Sequence, residues 1–204
     1  MTTRLRLLPL VAGLLLGLFS TSALSASASV DAATATLKGG VNEVLDTIYK
    51  VQSPEALAAA LRPILDKHFQ LETTTRLAVG PGWRQFTPEQ RKRTTELFAD
   101  LVLKTYTRRM TGDARPEIVY LTGTDLGRGK VELPTTITYQ GQVYSVVYRL
   151  SEDTGAWRIY DVIIEGVSMV ANYRGQFGAL YNKGGADEII RTLETKAAEP
   201  APAS

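Results

Sequence analysis

Few side chains in this sequence are equipped for chemistry. His68 is the only histidine, and the chain has no cysteine. A metal centre or a Ser-His-Asp relay would have to be built on that one imidazole. It falls in a helical stretch beside Phe69, with no second histidine to join it, so a structural or surface role is expected. The patterns G-x-S-x-G, H-E-x-x-H and C-x-x-C do not occur. Gly123 to Lys130 (GTDLGRGK) resembles a phosphate loop only superficially. Its first glycine is one residue early, Val131 stands where Ser or Thr is needed, and a strand follows instead of a helix. A polar hairpin connection is the better reading. Asp161 and Glu165 are two carboxylates near the end of one strand. Four residues of extended chain separate them by about 13 Å, too far for either usual mechanism of glycoside hydrolysis. Salt bridges to Arg158 or Arg174 are expected instead.

The elements that position these residues follow from apolar spacing. Leu37, Val41, Val44, Leu45 and Ile48 form one helical stripe, whereas Ser29 to Thr36 is small, polar and expected to fray. Ser53-Pro54 sets an N-cap before a proline in the first turn. The helix it opens carries Leu57 and Leu61, and Pro63 is expected to break or restart it. Ile64, Leu65 and Phe69 continue the apolar face. Leu71 to Val79 reads as a short helix, stopped by Gly80-Pro81-Gly82. Thr87-Pro88-Glu89-Gln90 is the clearest helix start in the chain, because Gln90 stands three residues after a capping threonine. That helix should reach about Met110, with Thr94, Leu97, Phe98, Leu101, Val102, Thr105 and Tyr106 along its stripe.

After Gly112 the pattern changes. Ile118–Leu121, Val131–Tyr139, Val143–Leu150 and Trp157–Ile164 are rich in β-branched and aromatic residues, with turn residues at 139–142 and 152–155. Such closely spaced strands make an antiparallel meander. Gly166 ends the last strand. A helix follows with Val167, Val170, Tyr173, Phe177 and Leu180 on one face, and Gly184-Gly185 breaks it before a short helix over 187–196. Helices, then strands, then helices indicate an α+β fold: helices packed on one antiparallel sheet of about four strands. The strands are apolar on both faces. Tyr144, Val146, Tyr148 and Leu150 oppose Val143 and Val147, and Trp157, Ile159 and Ile163 oppose Tyr160, Val162 and Ile164. A plain core covered on both sides and an apolar cavity on one side both fit that pattern.

The N-terminus supplies an address. Arg4 and Arg6 precede an apolar run from Leu7 to Phe19, and Ala26-Ser27-Ala28 offers small residues for cleavage. A run of about 13 residues is short of the roughly 20 a membrane span needs, so residues 1–28 are expected to be a cleaved signal peptide. Losing Arg4 and Arg6 brings the 23 basic residues level with the 21 acidic ones. A neutral surface gives no footprint for nucleic acid. Without cysteine there is no disulfide framework and no acylation site. Residues 29–198 are expected to form a single domain and 199–204 a disordered tail.

Trp157 to Phe177 (WRIYDVIIEGVSMVANYRGQF) resembles the MlaC, or toluene-tolerance, family of periplasmic phospholipid-binding proteins. The matching residues are Trp157 to Asp161, Glu165 to Ser168, Asn172 to Arg174, and Gln176-Phe177. Upstream, Trp83, Thr87 to Arg91 and Thr105-Tyr106 also fit. Gln70 departs from the aspartate common in the family, and Gly80-Pro81-Gly82 replaces a bulkier stretch before Trp83. The resemblance implies a non-enzymatic, monomeric carrier without a cofactor, its ligand being bound phospholipid. It implies acyl chains in a cavity between sheet and helices and a head group outside. It also implies two partners: an inner-membrane ABC transporter complex with an MCE-domain ring, and an outer-membrane lipoprotein–porin complex. The cavity wall is then expected from Leu97, Leu101, Tyr106, Val146, Tyr148, Val162, Ile164, Val167, Val170, Tyr173 and Phe177. A hopanoid carrier of the same family and a protein–protein adaptor are the other readings, along with an enzyme whose site lacks a familiar motif.

Overall fold

In the computed structural model the described residues are 21–51, 53–107 and 114–199. The first twenty residues, which carry the charged and apolar parts of the expected leader, lie outside them, as do residues 200–204 of the expected tail. Helix α1 spans Thr21–Ile48, α2 Pro54–His68, α3 Leu71–Val79 and α4 Pro88–Thr107, with a 3-10 turn Gly80–Gln85 before α4. Strands β1 (Glu117–Tyr120), β2 (Thr124–Asp125), β3 (Lys130–Tyr139), β4 (Gln142–Asp153), β5 (Ala156–Ile164) and β6 (Val167–Ser168) precede helix α5 (Met169–Ala198). No helix among the described residues is long and apolar enough to cross a membrane.

Local chemistry explains most of these limits. Ser53 Oγ accepts from the Ala56 amide at 3.2 Å, and Pro54 opens α2. Thr87 and Gln90 cap α4 reciprocally, each side chain accepting from the other's amide at 3.0 and 3.2 Å. The helix ends at Thr107, and the expected extension to Met110 falls outside the described residues. Ser168 Oγ accepts from the Ala171 amide at 3.0 Å and starts α5. Within α5 the backbone leaves helical geometry at Gly184 and Gly185, where Gly185 has φ 67°.

Two expectations are corrected. Ser29 to Thr36 does not fray but belongs to α1. Ala33 and Leu37 are buried with Val131, Leu133, Leu150, Trp157 and Ile159. Val30, Ala33, Leu37 and Val41 extend the apolar stripe N-terminally, and the small Ala33 fits close against the sheet. Pro63 does not break α2, which runs through it. The loss of one amide is tolerated because Leu57, Leu61 and Leu65 are buried on either side of it.

Among the described residues the antiparallel sheet has six strands in the order β1-β3-β4-β5-β6, with β2 also pairing β3. The four expected strands are joined by β2 and β6, two residues each and too short to show a period. Gln140-Gly141, Thr154-Gly155 and Glu165-Gly166 all have positive φ, between 49° and 78°. Such pairs form the primed turns whose twist matches a hairpin. The stretch 123–130 is a polar connection, with β2 folded back on β3. Helices pack on one face. A helical core joins α3, the 3-10 turn, α4 and α5 around Trp83, Phe98, Tyr173, Phe177 and Ile189. There Phe98 meets Tyr173 and Phe177 edge-on, at 4.8 and 5.2 Å between ring centres.

A candidate ligand cavity between helices and sheet

Alternation along β4 turns Tyr144, Val146, Tyr148 and Leu150 toward the helices. Register sets Val146 between Thr135 and Ile164, and Tyr148 between Leu133 and Val162. A register shift after Arg149 then brings Leu150 opposite Ile159. Across from this wall stand Val41, Val44, Leu45 and Ile48 of α1, Leu61, Ile64 and Leu65 of α2, and Val102, Leu103 and Tyr106 of α4. These stripes face one another without meeting. They enclose a cavity of about 650 Å³, within the usual range for ligand pockets. Leu37, Leu150 and Ile159, all buried, form its floor. Tyr49, Tyr139, Gln140 and Tyr144 ring its mouth, where Tyr49 and Tyr144 are 38% and 36% exposed. Thr36 and Tyr49 line opposite ends, thirteen residues apart, so the cavity is about 20 Å long.

Polar groups on the wall are sparse. His68 Nε2 lies 3.0 Å from Glu43 Oε2, and Lys67 Nζ is 2.5 Å from the other oxygen. Lys67 and then His68 hold the Glu43 carboxyl below its usual range. A Cβ on Gly40 would come 2.9 Å from His68 Nδ1, so this glycine lets α1 and α2 approach. Burial pushes the Tyr148 phenol up to about 12. His68 therefore ties two helices together, as its isolation suggested, while also lining the cavity.

Tyr106, Val146, Tyr148, Val162 and Ile164 line the cavity as expected from the sequence. The other candidates lie elsewhere. Leu97, Tyr173 and Phe177 are buried in the helical core, and Leu101 packs against it. Val170 is buried in the first turn of α5, its amide donating to Asp161. Val167 is 61% exposed on β6. The cause is the start of α5: Ser168 turns the helix toward α3 and α4, so its apolar face meets helices rather than the cavity. The lining missed from sequence comes mainly from α1 and α2, together with Ile118 and Ile137. The stripe from Leu37 to Ile48 was visible, but nothing in it named the surface it faces. Gln70 takes part in a different task, bonding Ser151 through both ends of its amide and joining α3 to the sheet.

The charged pairs also differ from expectation. Arg174 does not pair with Asp161 or Glu165. It donates twice to the Leu77 carbonyl, at 2.9 and 2.7 Å, near the end of α3. Asp161, 4% exposed, accepts from Ser168 Oγ at 2.7 Å and the Val170 amide at 3.1 Å, with Arg149 at 3.7 Å. Asp161 rather than Glu165 thus serves the start of α5. Glu165 accepts from the Ser145 amide instead, and Arg158 lies nearest Asp153, at 3.8 Å.

Comparison with known proteins fits this architecture. The intermembrane phospholipid transport system binding protein MlaC of Haemophilus influenzae is 23% identical over 154 residues, covering 73% of this chain and 72% of the relative. A solved structure of a phospholipid-binding protein from Ralstonia solanacearum, in complex with a phospholipid, superposes with a TM-score of 0.76 at 24% identity, over 81% of this chain and 97% of the other. That likeness establishes the shared fold. The family model described as MlaC protein matches residues 38–195, well over half of the sequence, and the chain therefore belongs to the MlaC family.

Proposed function

We propose that this protein is an exported lipid carrier that holds phospholipid acyl chains in the cavity and shuttles the lipid between outer and inner membranes, maintaining the lipid asymmetry of the outer membrane. The observation that carries the reading is the cavity: about 650 Å³, about 20 Å long, floored by buried aliphatic residues and open at one end. An acyl chain occupies about 15 Å, half of a bilayer's hydrocarbon core, so it fits lengthwise with the head group at the mouth. Each methylene transferred from water contributes about 0.8 kcal/mol. Ten of them supply about 8 kcal/mol, enough for micromolar affinity without a head-group pocket. The names of the two relatives point the same way. The donor and acceptor on this reading are the outer-membrane lipoprotein–porin complex and the inner-membrane MCE-domain ABC transporter. The protein acts in the periplasm as a monomer, after removal of residues 1–28, without enzymatic activity.

The test is lipid analysis of protein purified from cells, by native mass spectrometry and again after solvent extraction. Co-purifying phospholipid is expected. Loading of less than about a tenth of molecules, with no uptake from liposomes, would refute the carrier reading, and a polycyclic lipid in place of phospholipid would redirect it to the hopanoid alternative.

A further inference from the structure

Two tyrosines on the cavity wall, Tyr106 and Tyr148, have hydroxyls without a hydrogen-bond partner among the described residues. Tyr148 lines the wall in mid-β4. Tyr148 is half-buried, with its hydroxyl open to the cavity, so a chain that fills the cavity and expels water leaves that hydroxyl needing a partner. Tyr120 is close enough to influence it electrostatically yet does not bond to it. With its proton held so firmly, this phenol works as a hydrogen-bond donor and not as an acid.

Its depth selects what it can meet. Tyr148 lies four residues along β4 from Tyr144 at the mouth, about 13 Å of strand. On the facing wall Val41, which packs in the same cluster, is eight residues and about 12 Å from Tyr49. Both measures put it well below the depth at which the ester carbonyls of a lipid with an external head group would rest. The part of the ligand beside Tyr148 is the middle or lower half of an acyl chain.

Resting on the carrier reading, we propose that Tyr148 is a specificity-determining residue: it donates a hydrogen bond to an oxygen on the chain itself, so the cavity favours mid-chain hydroxy or keto acyl chains over plain alkyl chains. A plain chain leaves the donor unmet and a chain oxygen meets it. One neutral hydrogen bond gives a preference of about five- to ten-fold.

Delipidated protein is to be loaded from equimolar phosphatidylcholines bearing stearoyl or 12-hydroxystearoyl chains, with occupancy read by native mass spectrometry. The wild type should favour the hydroxylated lipid by that factor. Tyr148→Phe should load both equally while keeping the parent's melting temperature. Equal loading of both lipids by the wild type would overturn the inference, as would a preference that survives in Tyr148→Phe. Failure of the wild type to load either lipid would overturn the carrier reading and this inference with it.

Discussion

Asp161→Ala should be among the most destabilising single changes outside the aliphatic core. The carboxylate is almost completely buried between β5 and the start of α5, where it accepts from the Ser168 hydroxyl at 2.7 Å and the buried Val170 amide at 3.1 Å. Hydrogen bonds to a charged group contribute about 1.5–3 kcal/mol, and an orphaned buried amide costs about 1–3. Arg149 loses little, because Glu132 still accepts from it at 2.8 Å. The total is about 3–5 kcal/mol. For a chain of this size each kcal/mol lowers the melting temperature by about 2–4 °C, so a fall of about 10 °C is expected. Asp161→Asn keeps one acceptor oxygen and should lose about a third as much. The assay is thermal unfolding followed by circular dichroism on delipidated protein, since bound ligand would add its own stabilisation. A melting temperature within about 2 °C of the parent for Asp161→Ala would refute the reasoning, and so would an Asp161→Asn variant that fell as far.

Three further outcomes are expected. Val162→Glu sets a charge on the apolar wall and should abolish lipid loading with little change in the circular dichroism spectrum, because the new carboxylate can reach water within the cavity; lipid retention at the parental level would exclude Val162 from the binding wall. Arg174→Ala removes two bonds to one exposed carbonyl and should cost about 1–2 kcal/mol with unaltered loading per folded molecule, as read by urea unfolding beside lipid extraction. Glu43 has a folded pKa below its ordinary 4.5, so its stabilisation is present above that value and lost as pH falls through the lower folded one; Glu43→Gln should flatten the acid limb of a melting-temperature profile below about pH 4.5 and leave the neutral region nearly level.

Much of the fold could be read from local signals. The reciprocal cap of Thr87 and Gln90, the Ser53-Pro54 start and the Gly184-Gly185 break depend on neighbouring residues, and each stands where its chemistry predicts. Strands of two residues leave no period to detect, so β2 and β6 went unseen. The site was harder for another reason. A cavity is a gap between stripes, and each stripe by itself looks like core. Val44 and Ile48 on α1 and Tyr173 and Phe177 on α5 show the same helical spacing, yet the first pair faces open volume and the second meets Phe98. The difference depends on where Ser168 directs α5, a contact no local pattern encodes. Arg174 was misassigned for the same reason: its acceptor is a main-chain carbonyl 97 positions away, and every residue has one.

The helical core around Phe98 and Phe177 meets the cavity wall at Val102, Tyr106 and Met169 and is otherwise built from different side chains. Mutational tolerance should divide along that line. Substitutions at the wall have few close neighbours to disturb, so a lineage can drift from one ligand shape to another while the α3–α4–α5 unit keeps the chain folded. A library randomised at Val44, Ile48, Val146 and Val162 should consist mostly of folded members, and one randomised at Trp83, Phe98, Phe177 and Ile189 mostly of unfolded ones. In this architecture the capacity to acquire a new cargo is held apart from the capacity to fold.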